Sequence, residues 1–384
     1  MTANSHPGNI LVVDDEQLNR MILTRALEAQ GHRVSSVENG LRALDILRED
    51  PAAFDVVLLD MLMPELDGMQ TLAELKRDAR LKHLPVIIVS ALDEMDSVVR
   101  CIEMGAEDYL PKPFKPVLLR ARLDASLEKK RLRDQEQKYL RGLERELEIG
   151  REIQRSFLPA DLPRVAGWEL AAKFQPARQV AGDFYDAFEM QNGARLAVVI
   201  GDVADKGVGA ALFMALFRSL LRAFAEHSAA PLSEVVSFAN DYIARTHDRA
   251  NMFATIFFAA LDPHTGDLEY INAGHNPPLI VRDARVRAQL TRTGAAVGMF
   301  QGVTFRVETT RLERGDILLA YTDGVTDAPN ARGKDFSDER LLALAQARYA
   351  TASAMLTAIG AALHQHTEGA EPFDDVTMLA VRRE

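Results

Sequence analysis

Two α/β domains joined by a helix are predicted: a doubly wound parallel sheet covered by helices, then an α/β sandwich of two β-sheets flanked by helices. Three observations carry this. Apolar runs alternate with amphipathic stretches over the first third of the chain, a charged stretch nearly free of breakers follows, and the remainder pairs strands through turns with helices inserted in blocks. The 384 residues suit two domains at roughly 150 residues each. The expected boundaries are a tail over 1–8, a first domain over 9–124, a helical linker over 125–158 and a second domain over 159–384.

The balance of 45 Lys+Arg against 56 Asp+Glu, a net charge of -11, argues against general binding of nucleic acid or anionic membranes. Cys101 stands alone, which excludes an intrachain disulfide and a thiolate metal cluster and fits a reducing, cytoplasmic setting. The apolar passage Ala210–Phe217 stops at Arg218, short of the roughly 18 residues a membrane span needs. The stretch Met1–Gly8 lacks the basic and apolar regions of a secretory signal.

In the first domain the apolar runs are Ile10–Val13, Val56–Leu59 and Val86–Val89, with a weaker one at Tyr109 and Leu110, and glycines at Gly31 and Gly105 close the intervening helices. Near-continuous apolar strands imply a parallel sheet buried on both faces. Asp14 and Asp15 follow the first run, Asp60 the second, Ser90 the third and Lys112 the last. Functional crevices of such sheets lie beyond the carboxyl ends of the strands, so all five side chains converge on one rim. Three carboxylates, a hydroxyl and an ammonium suit a hard divalent cation and a phosphoryl group.

With the motifs Asp14-Asp15, Leu59–Pro64 (LDMLMP), Val89–Leu92 (VSAL) and Tyr109–Phe114 (YLPKPF), residues from Asn9 to about Leu123 closely resemble the receiver domain of two-component response regulators. The resemblance implies that Asp60 accepts a phosphoryl group from a sensor histidine kinase or phosphotransfer protein. It implies Mg2+ held by Asp14, Asp15, Asp60 and the Leu62 carbonyl, with Lys112 on the phosphoryl oxygens, Ser90 and Tyr109 as switch residues, and a cis Lys112–Pro113 bond.

From about Ala125 to Phe157 the chain is rich in Glu, Lys, Arg, Gln and Leu, and Leu140, Leu143 and Leu147 fall at heptad-like spacing. Either a solvated connecting helix or a short parallel coiled coil, and with it a homodimer, accounts for this.

Strand-like segments of the second domain include Trp168–Phe174, Arg195–Gly201, Met252–Leu261, Asp267–Ala273, Asp316–Thr322 and Val376–Arg382, with a hairpin turn at Asp262–Asp267. Helices are expected over about 207–227 and 233–245, and twice after Ser337. Acidic clusters bracket these strands at Asp183 and Asp186, at Asp202 and Asp205, at Asp323, and at Asp374 and Asp375. Buried carboxylates need protons, hydrogen bonds or a cation, and here they point to Mg2+ or Mn2+.

With Glu152–Pro159 (EIQRSFLP), Asn272–Pro278 (NAGHNPP) and Thr293–Gly298 (TGAAVG), residues from roughly Arg151 to Arg382 resemble the PPM serine/threonine protein phosphatases of the SpoIIE-like branch. The resemblance implies two metal ions bridged by Asp202. The Val203 carbonyl would serve one, with Asp183 acting on that ion or its waters, and Asp323 and Asp374 the other, with a less certain place for Asp375; ions sharing a water make it a nucleophile at neutral pH. Phe157 replaces a leucine common before the family's proline and keeps the apolar packing. Among the remaining candidates, His275 is expected to fix its loop rather than bind metal, and His364 and His366 to be solvated. Asp205 is expected to cap a helix, Asp327 to be a loop residue and Trp168 to be core.

The implied function is a response regulator whose phosphorylation at Asp60 controls dephosphorylation of a phosphoserine or phosphothreonine, by family analogy on an anti-sigma factor antagonist. Repacking of the last receiver helix would move the linker and Glu152–Pro159. The rival reading is a phosphorylation-controlled, non-catalytic adaptor for a sigma or anti-sigma factor or for proteolytic delivery, which the intact set Asp183, Asp202, Asp323 and Asp374 disfavours. A purely structural dimer scaffold explains neither acidic site.

Overall fold

A computed structural model describes residues 7–91, 95–228, 230–247 and 252–384. Most of the expected tail and Leu92 of the third receiver motif lie outside them. The chain divides into two compact units, Met1–Leu143 and Glu144–Glu384.

The first unit holds β1 (Asn9–Val13), α1 (Gln17–Glu28), β2 (Arg33–Val37), α2 (Gly40–Glu49), β3 (Val56–Asp60), α3 (Gly68–Arg77), β4 (Val86–Ala91), α4 (Met95–Glu103) and β5 (Asp108–Lys112). The strands form one parallel sheet in the order β2-β1-β3-β4-β5. Every residue of β3 is buried, because helices cover both faces. Leu11, Val57, Leu59 and Ile88 face one apolar cluster, and Ile10, Val12, Leu58 and Val89 face the other. Sequence reading found four of these strands and missed β2. That edge strand presents Ser35 and Ser36 to solvent and has no apolar run to betray it.

The next helix, α5, spans Pro116–Phe157 without a break over 42 residues. The expected linker is therefore the continuation of the receiver's last helix, not a separate element. Only Gly142 and Gly150 interrupt its side chains, and open space surrounds both. Leu119 and Leu123 are buried in the first unit, whereas Leu132, Tyr139, Leu140, Leu143, Ile149 and Ile153 are exposed.

The second unit stacks two antiparallel sheets. One has the order β13-β10-β9-β8-β7, from β7 (Phe184–Met190), β8 (Arg195–Val203), β9 (Ala254–Leu261), β10 (Asp267–Ala273) and β13 (Glu308–Arg311). The other runs β12-β11-β14-β15-β6, from β6 (Trp168–Gln175), β11 (Leu279–Arg282), β12 (Arg285–Gln289), β14 (Ile317–Tyr321) and β15 (Val376–Arg383). Val198, Ile200, Phe257 and Leu261 meet Leu318, Ala320, Leu379 and Val381 between the sheets. Helices α6 (Val208–His227) and α7 (Leu232–Thr246) cover the first sheet through Met214, Phe217, Val236 and Phe258. The second is covered by α9 (Asp338–Ala345) and α10 (Ala352–His366), following the short α8 (Asp323–Thr326).

Four strands escaped the sequence reading. The hairpin β11–β12 turns through Asp283 and Ala284, both at positive φ (50° and 62°), so the usual glycine signal is missing. The strands β7 and β13 are short or carry charge. Helix α6 agrees with the helix expected over about 207–227 and continues past Arg218, where the apolar passage ends. Arg218 and Arg222 both pair with buried Asp186, at 2.8 and 3.2 Å, so the charges are absorbed inside the unit. By length and composition alone α6 is long and apolar enough to cross a membrane, yet Ala210, Met214, Phe217, Leu221 and Ala225 pack into the core at helical spacing.

Phe258 is fully buried between the first sheet and its helices. Phe258→Ala is expected to destabilise the second unit by about 3–5 kcal/mol, read by chemical denaturation of the full chain.

Candidate functional site

The parallel sheet brings Asp14, Asp15, Asp60, Ser90 and Lys112 to the carboxyl ends of its strands, and Asp14, Asp15 and Asp60 offer oxygens that all lie within 4.8 Å of one another. Lys112 Nζ donates to Asp14 Oδ2 at 3.0 Å and to Asp60 Oδ1 at 2.6 Å. Burial nevertheless raises the Asp60 pKa to about 6, with the Lys112 hydrogen bond and charge opposing it. Ser90 is buried, Tyr109 is half-buried under the Arg122 guanidinium, and Leu62 lies exposed at a cavity of about 420 Å3 shared with Asp15, Asn19, Asp60 and Lys112. The Lys112–Pro113 peptide is cis.

Two residues here were not singled out from sequence. The Arg20 guanidinium donates to the carbonyls of Asp14 and Asp15, at 2.7 and 2.8 Å, and Asn19 Nδ2 donates to Asp14 Oδ1 at 3.2 Å. Both lie one turn into α1, beneath the acids they hold.

The second acidic site arises differently. Strands β7 and β8 are antiparallel neighbours with Phe184 opposite Gly201, so Asp183 before one stands beside Asp202 near the end of the other. Strands β14 and β15 repeat the arrangement with Tyr321 opposite Met378, placing Thr322 and Asp323 beside Asp374 to Thr377. Two stacked sheets thus bring four chain ends to one edge.

Asp183 is buried and accepts from Thr322 Oγ1 at 2.8 Å and Thr377 Oγ1 at 2.5 Å. Burial and the Asp202 charge push its pKa well up, against these two hydroxyls. The Asp202 carboxyl is raised to about 7 by burial and by the charges of Asp323 and Asp374. Asp323 is raised by burial and by Asp374. These acids oppose one another's ionisation, and an all-oxygen set that does so fits hard divalent cations. Among the described residues they do not gather three oxygens as closely as the receiver trio.

Asp375 is engaged elsewhere: its two oxygens accept from the backbone amides of Ala177 at 2.8 Å and Gly182 at 2.7 Å. It clamps the loop that carries Asp183. The other side of that loop is held by Gln154, near the end of α5, whose side chain donates to the Ala181 carbonyl at 2.6 Å and accepts from its amide at 3.0 Å. Sequence reading passed over Gln154, although it lies inside the quoted Glu152–Pro159 segment. Thr322 and Thr377 likewise lie inside the expected strand segments Asp316–Thr322 and Val376–Arg382, where neither was singled out. Gly324 follows Asp323 because a Cβ there would lie 1.9 Å from the Asp375 carbonyl oxygen. Gly182 lets its loop approach the Val203 carbonyl, 3.0 Å from where a Cβ would stand.

Asp205 does not cap α6. The cap position is Gly207, and Asp205, at φ 79°, accepts instead from the Lys206 amide at 2.8 Å. His366 is not merely solvated: its ring nitrogens meet Arg340 at 2.8 Å and the Lys334 carbonyl at 2.9 Å, while His364 is exposed. His275 is fully buried, its Nδ1 2.9 Å from Thr255 Oγ1 and its amide donating to Asn272 Oδ1 at 2.8 Å, and burial lowers its pKa to about 3. A neutral ring locked in this way fixes the loop. Thr326 Oγ1 donates to Asp327, and Trp168 is buried with Nε1 donating to the Pro263 carbonyl at 3.0 Å.

Comparison with known proteins places each half. The family described as Stage II sporulation protein E (SpoIIE) matches residues 192–384, and that described as response regulator receiver domain matches residues 10–124. The chain is 42% identical to Protein IcfG of Synechocystis sp. over 263 residues, which is 62% of this chain but spans only 41% of that protein. It is 36% identical to two-component response regulator ORR11 of Oryza sativa over 110 residues, covering 29% of this chain and 74% of that protein. The SiaA-PP2C domain of Pseudomonas aeruginosa shares the fold of the second unit, with TM-score 0.55 at 19% identity, over 64% of this chain and 99% of that domain.

Two outcomes test the geometry. Asp375→Ala strands two buried amides and is expected to cost about 2–4 kcal/mol in chemical denaturation, Asp375→Asn less; were Asp375 a metal ligand instead, Asp375→Asn would weaken metal binding and leave stability unchanged. Mg2+ held as the resemblance implies would compete with protons for the Asp60 carboxylate, whose folded-state pKa is raised to about 6. Receiver Mg2+ affinity measured by calorimetry should therefore be full above that pH and fall by up to about tenfold per unit below it.

Proposed function

The chain belongs to the SpoIIE family of PPM protein phosphatases and carries a response-regulator receiver domain, and from that premise we propose that phosphorylation of Asp60 controls metal-dependent hydrolysis of phosphoserine or phosphothreonine on a regulatory protein. The convergence of Asp183, Asp202, Asp323 and Asp374 at one edge of the two sheets carries this reading. A non-catalytic adaptor would have no use for acids that raise one another's pKa.

In this reading Asp14, Asp15, Asp60 and the Leu62 carbonyl hold Mg2+ in the receiver. Asp202, the Val203 carbonyl, Asp183, Asp323 and Asp374 hold two Mn2+ or Mg2+ in the phosphatase. Ions bound there neutralise a phosphate and lower the pKa of water. The remaining work belongs to the chain. Lys112 supplies the ammonium that meets the charge developing on a phosphoryl group at Asp60, with Ser90 and Tyr109 as the switch. Thr322 and Thr377 both hold Oδ2 of Asp183, and Asp375 and Gln154 hold its loop.

Regulation follows from α5, which runs unbroken from Leu119, buried in the receiver, to Gln154, hydrogen-bonded to Ala181. A shift of that helix changes the hold on the loop bearing Asp183. The phosphodonor is a sensor histidine kinase or phosphotransfer protein, and the substrate, by family analogy, a phosphorylated anti-sigma factor antagonist. The exposed apolar residues of α5 are the basis for a homodimer through that helix.

Hydrolysis of a phosphoserine protein with added Mn2+ tests the proposal, with wild type, Asp202→Asn and Asp60→Asn each measured with and without a small-molecule phosphodonor. Turnover should fall at least about a hundredfold in Asp202→Asn, and the donor should change the wild-type rate but not that of Asp60→Asn. Metal binding without turnover on any phosphoprotein would favour the adaptor.

A further inference from the structure

The acidic site of the phosphatase contains a cation of its own. Lys206 Nζ stands 2.8 Å from Asp374 Oδ2, donates to the Phe373 carbonyl at 2.7 Å and lies 4.4 Å from the centroid of the Phe373 ring. Three oxygen or π partners converge on one ammonium at the rim of the carboxylate cluster.

The local sequence goes against its own preferences to put it there. Asp205 and Gly207, on either side of Lys206, both have positive φ, 79° and 90°. For aspartate that conformation is uncommon and costs about 1 kcal/mol. Lys206 also immediately precedes the Gly207 cap of α6, where the positive end of the helix dipole disfavours a cation, and no side chain caps that helix. An uncommon backbone conformation at Asp205 and a cation at a helix N-terminus at the next residue, Lys206, together mark a functional constraint rather than a packing solution.

We propose that Lys206 is a built-in counter-ion of the phosphatase site, which holds Asp374 when no divalent ion does and so lowers the affinity for the ion that needs Asp374. The inference rests on the reading of these acids as a metal site, not on turnover. A divalent cation approaching Asp374 must displace the ammonium, and only one of the two can take Oδ2. The pair is partly exposed, with 33% of the Lys206 and 26% of the Asp374 side chain accessible, so displacement is affordable and the site remains loadable.

The experiment is a calorimetric Mn2+ titration of the full chain in an Asp15→Asn background, which weakens the receiver's own cluster. Lys206→Met should bind Mn2+ about two- to tenfold more tightly, and Lys206→Arg should match the parent. Lys206→Gln, which keeps a hydrogen-bonding side chain without the charge, must move in the same direction as Lys206→Met and decides the question should the methionine variant fail to fold. In an Asp374→Asn background the gain should vanish. Unchanged or weaker binding in a folded, uncharged variant overturns the proposal, as does a gain that persists without Asp374. Because the readout is binding, absence of phosphatase turnover would count against the proposed function alone.

Discussion

Both sites depend on the electrostatic cost of placing several carboxylates together where water is scarce. Burial raises each acid's pKa and each ionised neighbour raises it further, which is why Asp60 lies near 6 and Asp202 near 7. Such a cluster is tolerable only where backbone amides, hydroxyls or cations offset the charge. Much of the local structure is that offset: Lys112 in the receiver, Thr322 and Thr377 around Asp183, and the amides of Ala177 and Gly182 around Asp375. The fold around each site is therefore the set of restraints that keeps the acids in place against their mutual repulsion.

The two units reach this condition by opposite topologies. A parallel sheet sends all its strands the same way, so acids after β1 and β3 meet Lys112 after β5 on one rim without further adjustment. An antiparallel sheet sends neighbours opposite ways. Convergence then requires an acid before one strand and after the next, as with Asp183 and Asp202, and a second sheet stacked so that its own pair falls at the same edge. That is why the receiver acids all follow strands in the sequence, whereas the phosphatase acids alternate between following and preceding them.

What could be read from the sequence follows the same physics. Strands buried on both faces announce themselves as apolar runs, and acids placed directly at their ends are conspicuous, so β1, β3, β4, β8, β14 and β15 and their carboxylates were legible. The strand β2 was not, because its outward residues are polar, and neither was β11–β12, whose turn is made by Asp283 and Ala284 without glycine. The roles of Gln154 and Asp375 were illegible for a different reason. Each acts on backbone amides distant in sequence, Ala181 and Gly182, and a backbone amide looks the same at every residue. Asp205 misled because an aspartate shortly before a helix satisfies the statistical pattern of a cap, while its positive φ turns the carboxylate onto the neighbouring amide of Lys206.

One lysine attends each acidic site, and their settings differ in a way that suits different tasks. Lys112 ends a strand of the parallel sheet and bridges two buried acids, Asp14 and Asp60, so its ammonium is held from two sides. Lys206 sits on a turn between two positive-φ residues and contacts a single, partly exposed acid. Removing Asp374 from its reach costs one exposed ion pair, a small quantity beside the repulsion among the buried carboxylates. An ammonium held from two sides would suit the proposed phosphoryl group on Asp60, and a displaceable one would suit the proposed variable metal occupancy of the second site. The difference lies in the backbone beneath each lysine, not in the lysine itself.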